Sequence, residues 1–234
     1  MKKSFIEDFY DKRDRNIKQL GLLGFLFYKL RRFETHRSTA TINLFKNHTY
    51  TKILDIGCGN GYLLSQIKHK CPNANLFGVD VSAVSIDECK NNLVTFTDNF
   101  SVQNIDSGLS FQENSFDLIV MVATLEHVFD PIRALEEVSR ILKPGGTFIV
   151  EVPNIAFMRY RINLLFGIRP RTSWGYGWDG GHLNYFTRKD LKKGLENAGL
   201  VSKIITGSGI FLSLRTWWGA LLLPNIIIEA KKLK

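Results

Sequence analysis

Asp55, Gly57, Gly59 and Gly61 stand between an apolar pair, Ile53-Leu54, and an apolar periodic stretch, Tyr62–Ile67. Glycine at those positions lets a backbone turn approach a ligand closely. A helix that starts directly after the turn offers unpaired N–H groups and a positive dipole end. Asp80 closes the apolar run Leu76–Val79, nineteen residues after Gly61. A carboxylate at that place can accept hydrogen bonds from a ribose diol. The glycine spacing is G-x-G-x-G, not the G-x-G-x-x-G of dinucleotide enzymes, and Asp55 precedes it. An acidic residue in the turn suits an ammonium group better than a pyrophosphate. Two histidines add acid–base chemistry: His127, beside Glu126 just past the apolar run 116–122, and His182, after Gly180-Gly181. Imidazole titrates near neutrality, so either can act as a general base. Glu126-His127 reads equally well as a hydrogen-bonded loop pair. Glu126, His127 and His182 have the residue types of a metal site, but their spacing gives little support for one, and no metal is expected.

Elements that must position these residues alternate along the chain. Strand 52–56 leads to helix 61–70, which Pro72 ends. Strand 75–80 leads to helix Ala83–Leu93, with Ser82 as its N-cap. A strand Phe100–Ile105 ends at Asp106, and strand Phe116–Val122 follows the polar turn Gln112–Ser115. Helix Pro131–Leu142, the turn Lys143–Gly146 and strand Thr147–Val152 come next. Helix Arg188–Ala198, closed by Gly199, precedes two strands over 200–206 and 225–230. Such alternation predicts an α/β fold, a doubly wound and mostly parallel seven-stranded sheet covered on both faces. Ligands of such sheets lie beyond the strand C-terminal ends, where Asp55, Asp80, Asp106 and Val122 all fall. Residues 1–50 read as a helical segment packed on a domain spanning 51–234. Residues 154–186 interleave four arginines (Arg159, Arg161, Arg169, Arg171) with aromatic side chains and read as a substrate-covering insertion after the fifth strand.

The chain has 234 residues, 44% of them hydrophobic and 12% aromatic, which fits a globular protein with a substantial core. A net charge of +9 favours anionic partners, although a basic enzyme without such a partner is an equal alternative. Cys58, Cys71 and Cys89 form no C-x-x-C pair, which fits a reducing compartment and argues against a disulfide framework or a zinc site. Cys58 lies inside the glycine turn, where a small side chain is needed, and is read as packing. Leu20–Tyr28 is too short to span a bilayer. The longer run Gly209–Ile228 is interrupted by Arg215, Pro224 and Asn225. A cytoplasmic location is expected, with peripheral membrane contact through the basic, aromatic N-terminal segment left open.

The segment KILDIGCGNGYLLSQI, Lys52–Ile67, resembles motif I of the class I S-adenosylmethionine-dependent methyltransferases, D-x-G-C-G-x-G. FDLIVMVATLEHVFDP (116–131), KPGGTFIVEVP (143–153) and GHLNYFTRKDLKKGLENAGL (181–200) resemble later motifs of the same families, in order. Similarity to methyltransferases of types 11 and 23, including the ubiquinone-biosynthesis O-methyltransferases, extends over roughly residues 37–206. It implies a Rossmann-like methyltransferase fold and S-adenosyl-L-methionine as cofactor. Under that resemblance Gly57, Cys58, Gly59 and Gly61 line the methionine part, and Asp55 helps hold its ammonium. Asp80 takes the ribose hydroxyls, Val81 flanks the adenine, Asp106 bonds its amino group with Ile105 beside the ring, and Val122 contacts the sulfonium end. Arg37, twenty residues before Gly57, takes the cofactor carboxylate. His127, His182 and Glu126 are the candidate catalytic residues, His127 the best placed. The implied function is methyl transfer to a small-molecule acceptor, most simply at oxygen, on a ring, a glycan or an anionic intermediate. RNA ribose or protein methylation is the alternative. No N/D-P-P-Y follows the fourth strand, which reads Val122-Ala123-Thr124-Leu125, and this argues against amino-group methylation of adenine or glutamine. A cofactor-binding protein without catalysis, or an NAD enzyme, is the third possibility.

Overall fold

The computed structural model describes residues 34–45, 50–173, 178–210 and 218–233. Most of the expected N-terminal helical segment lies outside them. Its described part is a short strand β1 (Glu34–Thr35) and one helix, α1 (Arg37–Ile42).

The elements then run β2 (Lys52–Ile56), α2 (Tyr62–Lys70), β3 (Asn75–Asp80), α3 (Ala83–Asn92), β4 (Phe100–Val102) and β5 (Phe116–Val122). After them come α4 (Pro131–Ile141), β6 (Leu142–Pro153), α5 (Met158–Leu165), α6 (Arg188–Asn197), β7 (Leu200–Thr206), β8 (Gly209–Ile210), α7 (Gly219–Leu222) and β9 (Asn225–Lys232). Seven strands form one sheet in the order β4-β3-β2-β5-β6-β9-β7. The first five are parallel, and β9 runs antiparallel to both β6 and β7. β1 pairs antiparallel with β8 outside that sheet. A doubly wound, mostly parallel sheet is therefore what the alternating pattern produces.

Alternation of side chains along the strands divides the core in two. Leu54, Ile119, Phe148 and Val150 face α4 and α6, meeting Leu135, Val138, Leu191 and Leu195. Ile53, Leu118, Val120 and Ile149 face α1, α2 and α3, meeting Ala40, Leu64, Ile67 and Ile86. The strands are thus buried on both sides, which is why they read as continuous apolar runs. Helix starts follow their caps. Ser82 accepts from Ser85 N, Asp130 from Ile132 N and Arg133 N, and Thr187 forms a capping box with Asp190.

Two boundaries differ from the sequence expectation. β4 stops at Val102, and Ile105–Ser107 is a separate 3-10 turn. Asn104 starts that turn by accepting from Asp106 N, a local bond that competes with the sheet ladder. Lys143–Gly146 is not a free turn but an irregularity inside β6. Leu142 pairs with Phe116, and the ladder resumes at Thr147 opposite Leu118, with Gly145 at φ 76°.

Candidate functional site: a glycine turn joined to a His–Glu cluster

The turn after β2 is pinned to the tip of β3. Gly57 N and Cys58 N both donate to Val79 O, at 2.8 and 3.1 Å. Asp80 Oδ2 accepts from Gly59 N and Asp80 Oδ1 from Ser82 N, each at 2.9 Å. Gly57, Gly59 and Gly61 all have left-handed φ (77°, 52° and 79°), which explains the residue type at all three positions. A side chain on Gly57 would collide with Thr124, and one on Gly61 with Cys89 Sγ, whereas the space above Gly59 is open. Two glycines therefore serve packing, and the third leaves a free backbone surface for a ligand.

Charge at the turn points the same way. Burial first, and the neighbouring Asp80 carboxylate second, push Asp55 up to about 7. A carboxylate pair held this way is short of a cation. The ammonium and sulfonium of S-adenosylmethionine would supply positive charge there, so the residues present fit that cofactor. Asp80 keeps unused acceptor positions for a ribose diol beyond the two N–H groups it holds. Val81 is exposed beside it, free to cover a ring, and Ile105 is buried. Asp106 already accepts from Phe129 N (3.0 and 3.1 Å) and Asp130 N (3.2 Å), which ties it to the start of α4. Its two oxygens retain room for one more donor. Val122 stands half-buried at the tip of β5, opposite Glu151 of β6. The Cys58 thiol is pushed far up by its hydrogen bond with Cys89 and by burial, so it is a packing residue with no thiolate character.

Thr124, which packs on Gly57, joins this half to the second. Its carbonyl accepts from His127 N at 2.9 Å, closing the short turn Leu125–His127 at the end of β5. The loop after the insertion is stitched onto that turn. Glu126 O accepts from Leu183 N (2.8 Å) and Asn184 N (3.0 Å), and Asn184 Nδ2 donates to Val128 O (2.6 Å). His182 therefore arrives beside His127, ring centroids 4.8 Å apart and edge to face, with its Nε2 3.9 Å from Glu126 Oε1.

The sequence pairing of Glu126, His127 and His182 is thus realised in space, but the group contains more. Glu126 is buried, and burial, then Glu151, push it up to about 8. Glu151 is fully buried, neither of its carboxylate oxygens has a hydrogen-bond partner, and burial raises it as well. Arg37 is exposed at the start of α1, and its charge acts on Glu126, Glu151 and His182. Donor atoms of Glu126, His127 and His182 lie within 4.8 Å of one another. Thr124, Glu151, Thr172 and Asp179 were not picked out by sequence reasoning. Only Asp179 leaves a local trace, in the spelling Asp-Gly-Gly-His, where Asp179, Gly180 and Gly181 have φ of 55°, 65° and 81°.

A methyltransferase-domain family model matches residues 22–202. The chain belongs to this family. A ubiquinone biosynthesis O-methyltransferase of Coxiella burnetii is 30% identical over 163 residues, 66% of this chain and 65% of that protein. The mouse mitochondrial arginine-hydroxylase NDUFAF5 is 36% identical over 96 residues, 41% of this chain and 27% of that protein. The chain thus matches less than two thirds of the length of either relative. Among solved structures, a SAM-dependent methyltransferase from Methanosarcina mazei superposes with a TM-score of 0.59 at 27% identity, covering 82% of this chain and 96% of that one. Family and solved relatives together imply S-adenosylmethionine as the cofactor of this methyltransferase domain.

Proposed function

We propose that the chain methylates an oxygen of a small-molecule acceptor, using S-adenosylmethionine. One observation carries this: two imidazoles and a buried carboxyl converge at the tip of β5, on a loop that packs directly against the glycine turn through Thr124. When bound, the cofactor supplies an electrophilic methyl group on a sulfonium. The protein's own tasks are to align an acceptor and remove its proton. Asp55, Asp80 and the Gly59 backbone hold and orient the cofactor, with Arg37 available to its carboxylate. Val122 and the insertion narrow the space in which an acceptor hydroxyl can lie. His127 donates from Nδ1 to Gly181 O at 3.1 Å, so its Nε2 carries the lone pair of a base; His182 stands beside it with the same potential. Arg159, Arg161, Arg169 and Arg171 on the insertion support an anionic acceptor, and exposed Leu164, Leu165 and Phe166 between them support one with an apolar part or a lipid surface. Among the described residues no helix is long and apolar enough to cross a membrane.

A second reading has its own support. Buried, unpartnered Glu126 and Glu151 oxygens would suit a cationic acceptor such as a guanidinium, and the relative named for arginine hydroxylation makes a protein substrate worth testing. RNA ribose remains the nucleic-acid version. Purified protein incubated with methyl-tritiated cofactor and size-fractionated cell extract separates these. Label in the low-mass fraction is expected. Label in the protein or RNA fraction would replace the small-molecule reading, and cofactor binding with no transfer to any fraction would favour a non-catalytic role.

A further inference from the structure

Asp179 is buried, yet it has a left-handed backbone (φ 55°) near the end of the insertion, three residues before His182. Such a conformation is unfavourable for a non-glycine residue and persists only where surrounding contacts enforce it. Here they do. Asp179 Oδ1 accepts from Thr172 N (2.8 Å) and Ser173 N (2.9 Å), and Oδ2 accepts from Thr172 Oγ1 (2.7 Å). Burial works against ionisation of Asp179, but these hydrogen bonds outweigh it and hold the carboxyl low. It is therefore a carboxylate, an acceptor only.

The proton count along the chain of contacts then fixes the rest. Thr172 has one hydroxyl hydrogen, and Asp179 takes it. Thr172 Oγ1 also lies 2.7 Å from His182 Nδ1, and with its hydrogen committed it can only accept there. Nδ1 of His182 must carry the hydrogen. Its other nitrogen, Nε2, is left with a lone pair in the neutral ring, on the side of Glu126 and His127.

We propose that Thr172 and Asp179 are positioning residues that lock His182 with its proton on Nδ1 and so make Nε2 the base that receives the acceptor's proton. This deepens the methyl-transfer proposal and rests on it for the identity of the proton. As the acceptor O–H bond breaks, its electron pair stays on the acceptor oxygen and its proton passes to Nε2. The imidazolium that forms is stabilised by the Asp179 carboxylate through the Thr172 hydroxyl. The insertion is then more than a cover over the site. It carries the base and the two residues that set it.

Long-range proton–nitrogen NMR spectra, taken above the ring's titration range, report which ring nitrogen is protonated, and need neither acceptor nor turnover. Resonances of His182 are assigned by their loss in His182→Gln. In the wild-type chain the Nδ1–H form should dominate. Thr172→Val removes the acceptor and should turn His182 into a mixture of both forms, while Thr172→Ser should restore the single form. Once an acceptor is in hand, Thr172→Val should lower kcat at least tenfold with little change in KM or in affinity for S-adenosylhomocysteine. A wild-type His182 protonated on Nε2 overturns the proposal, and that result does not depend on any variant folding. An unchanged Nδ1–H form in a folded Thr172→Val chain overturns it too. Failure of the chain to bind S-adenosylmethionine would instead remove the functional reading and leave the tautomer result standing.

Discussion

Asp55 is a carboxyl that the fold keeps protonated well above the usual range, because it is buried next to Asp80. From about pH 4 to about pH 7 the folded chain holds a proton that the unfolded chain has released. The stability contributed by Asp55 therefore falls as pH rises through that window and is lost beyond it. Glu126, raised to about 8 by burial and by Glu151, extends the same trend to higher pH. Replacing Asp55 with Asn should flatten the lower part of the slope, which thermal melts of the ligand-free chain between pH 4.5 and 7 would show. Saturating S-adenosylmethionine should also flatten it in the wild type, because a bound ammonium favours the ionised carboxylate. A slope unchanged in the variant would mean Asp55 is not the group that titrates. The same residue scale explains why Cys58 belongs in the turn. A larger side chain there would press on Gly78, against which its sulfur already packs.

At the scale of elements, the start of α4 is tied to Asp106 and follows directly on the turn that carries Glu126 and His127. Asp130 caps it by accepting from Ile132 N (3.0 Å) and Arg133 N (3.1 Å), and Asp106 holds the residues just before it. Asp130→Ala should cost about 1 kcal/mol, read as a lower denaturant midpoint with unchanged slope. The helices and most strands were legible because each carries its own signal. Ser82, Asp130 and Thr187 mark starts, Pro72 and Gly199 mark ends, and the apolar runs match strands buried on both faces. β6 was harder, since the Lys-Pro-Gly-Gly spelling reads as a turn, while the ladder to β5 continues across it as a bulge. Short β1 was also missed. Its partner β8 lies far along the chain, and a two-residue pairing leaves no periodicity to read.

The whole molecule brings together two sets of residues that the sequence keeps apart. Glycines and strand-tip aspartates were readable because left-handed turn positions demand glycine and the Asp80 carboxylate pins the turn through Gly59 N and Ser82 N, at particular spacings. The His–Glu cluster was readable as a list of candidates but not as an arrangement. Glu151 looks like one residue in an apolar strand, and Thr172 is an unremarkable loop residue. Only the fold shows that the first is an unpartnered carboxylate beside Glu126 and the second a bridge from Asp179 to His182. The end of the insertion lies outside the sheet, held by Leu183 and Asn184 on Glu126 O and by the isolated bridge Asn154–Phe186.

The central claim is that strand-tip carboxylates around a glycine turn bind a cationic nucleoside thioether. Isothermal titration of the purified chain with S-adenosylmethionine and, separately, with NAD tests it most directly, alongside the Asp80→Ala variant. Saturable binding of S-adenosylmethionine, little or none of NAD, and at least a tenfold loss of affinity in a folded Asp80→Ala chain are the expected results. Preference for NAD, or undiminished S-adenosylmethionine affinity in the variant, would contradict the account.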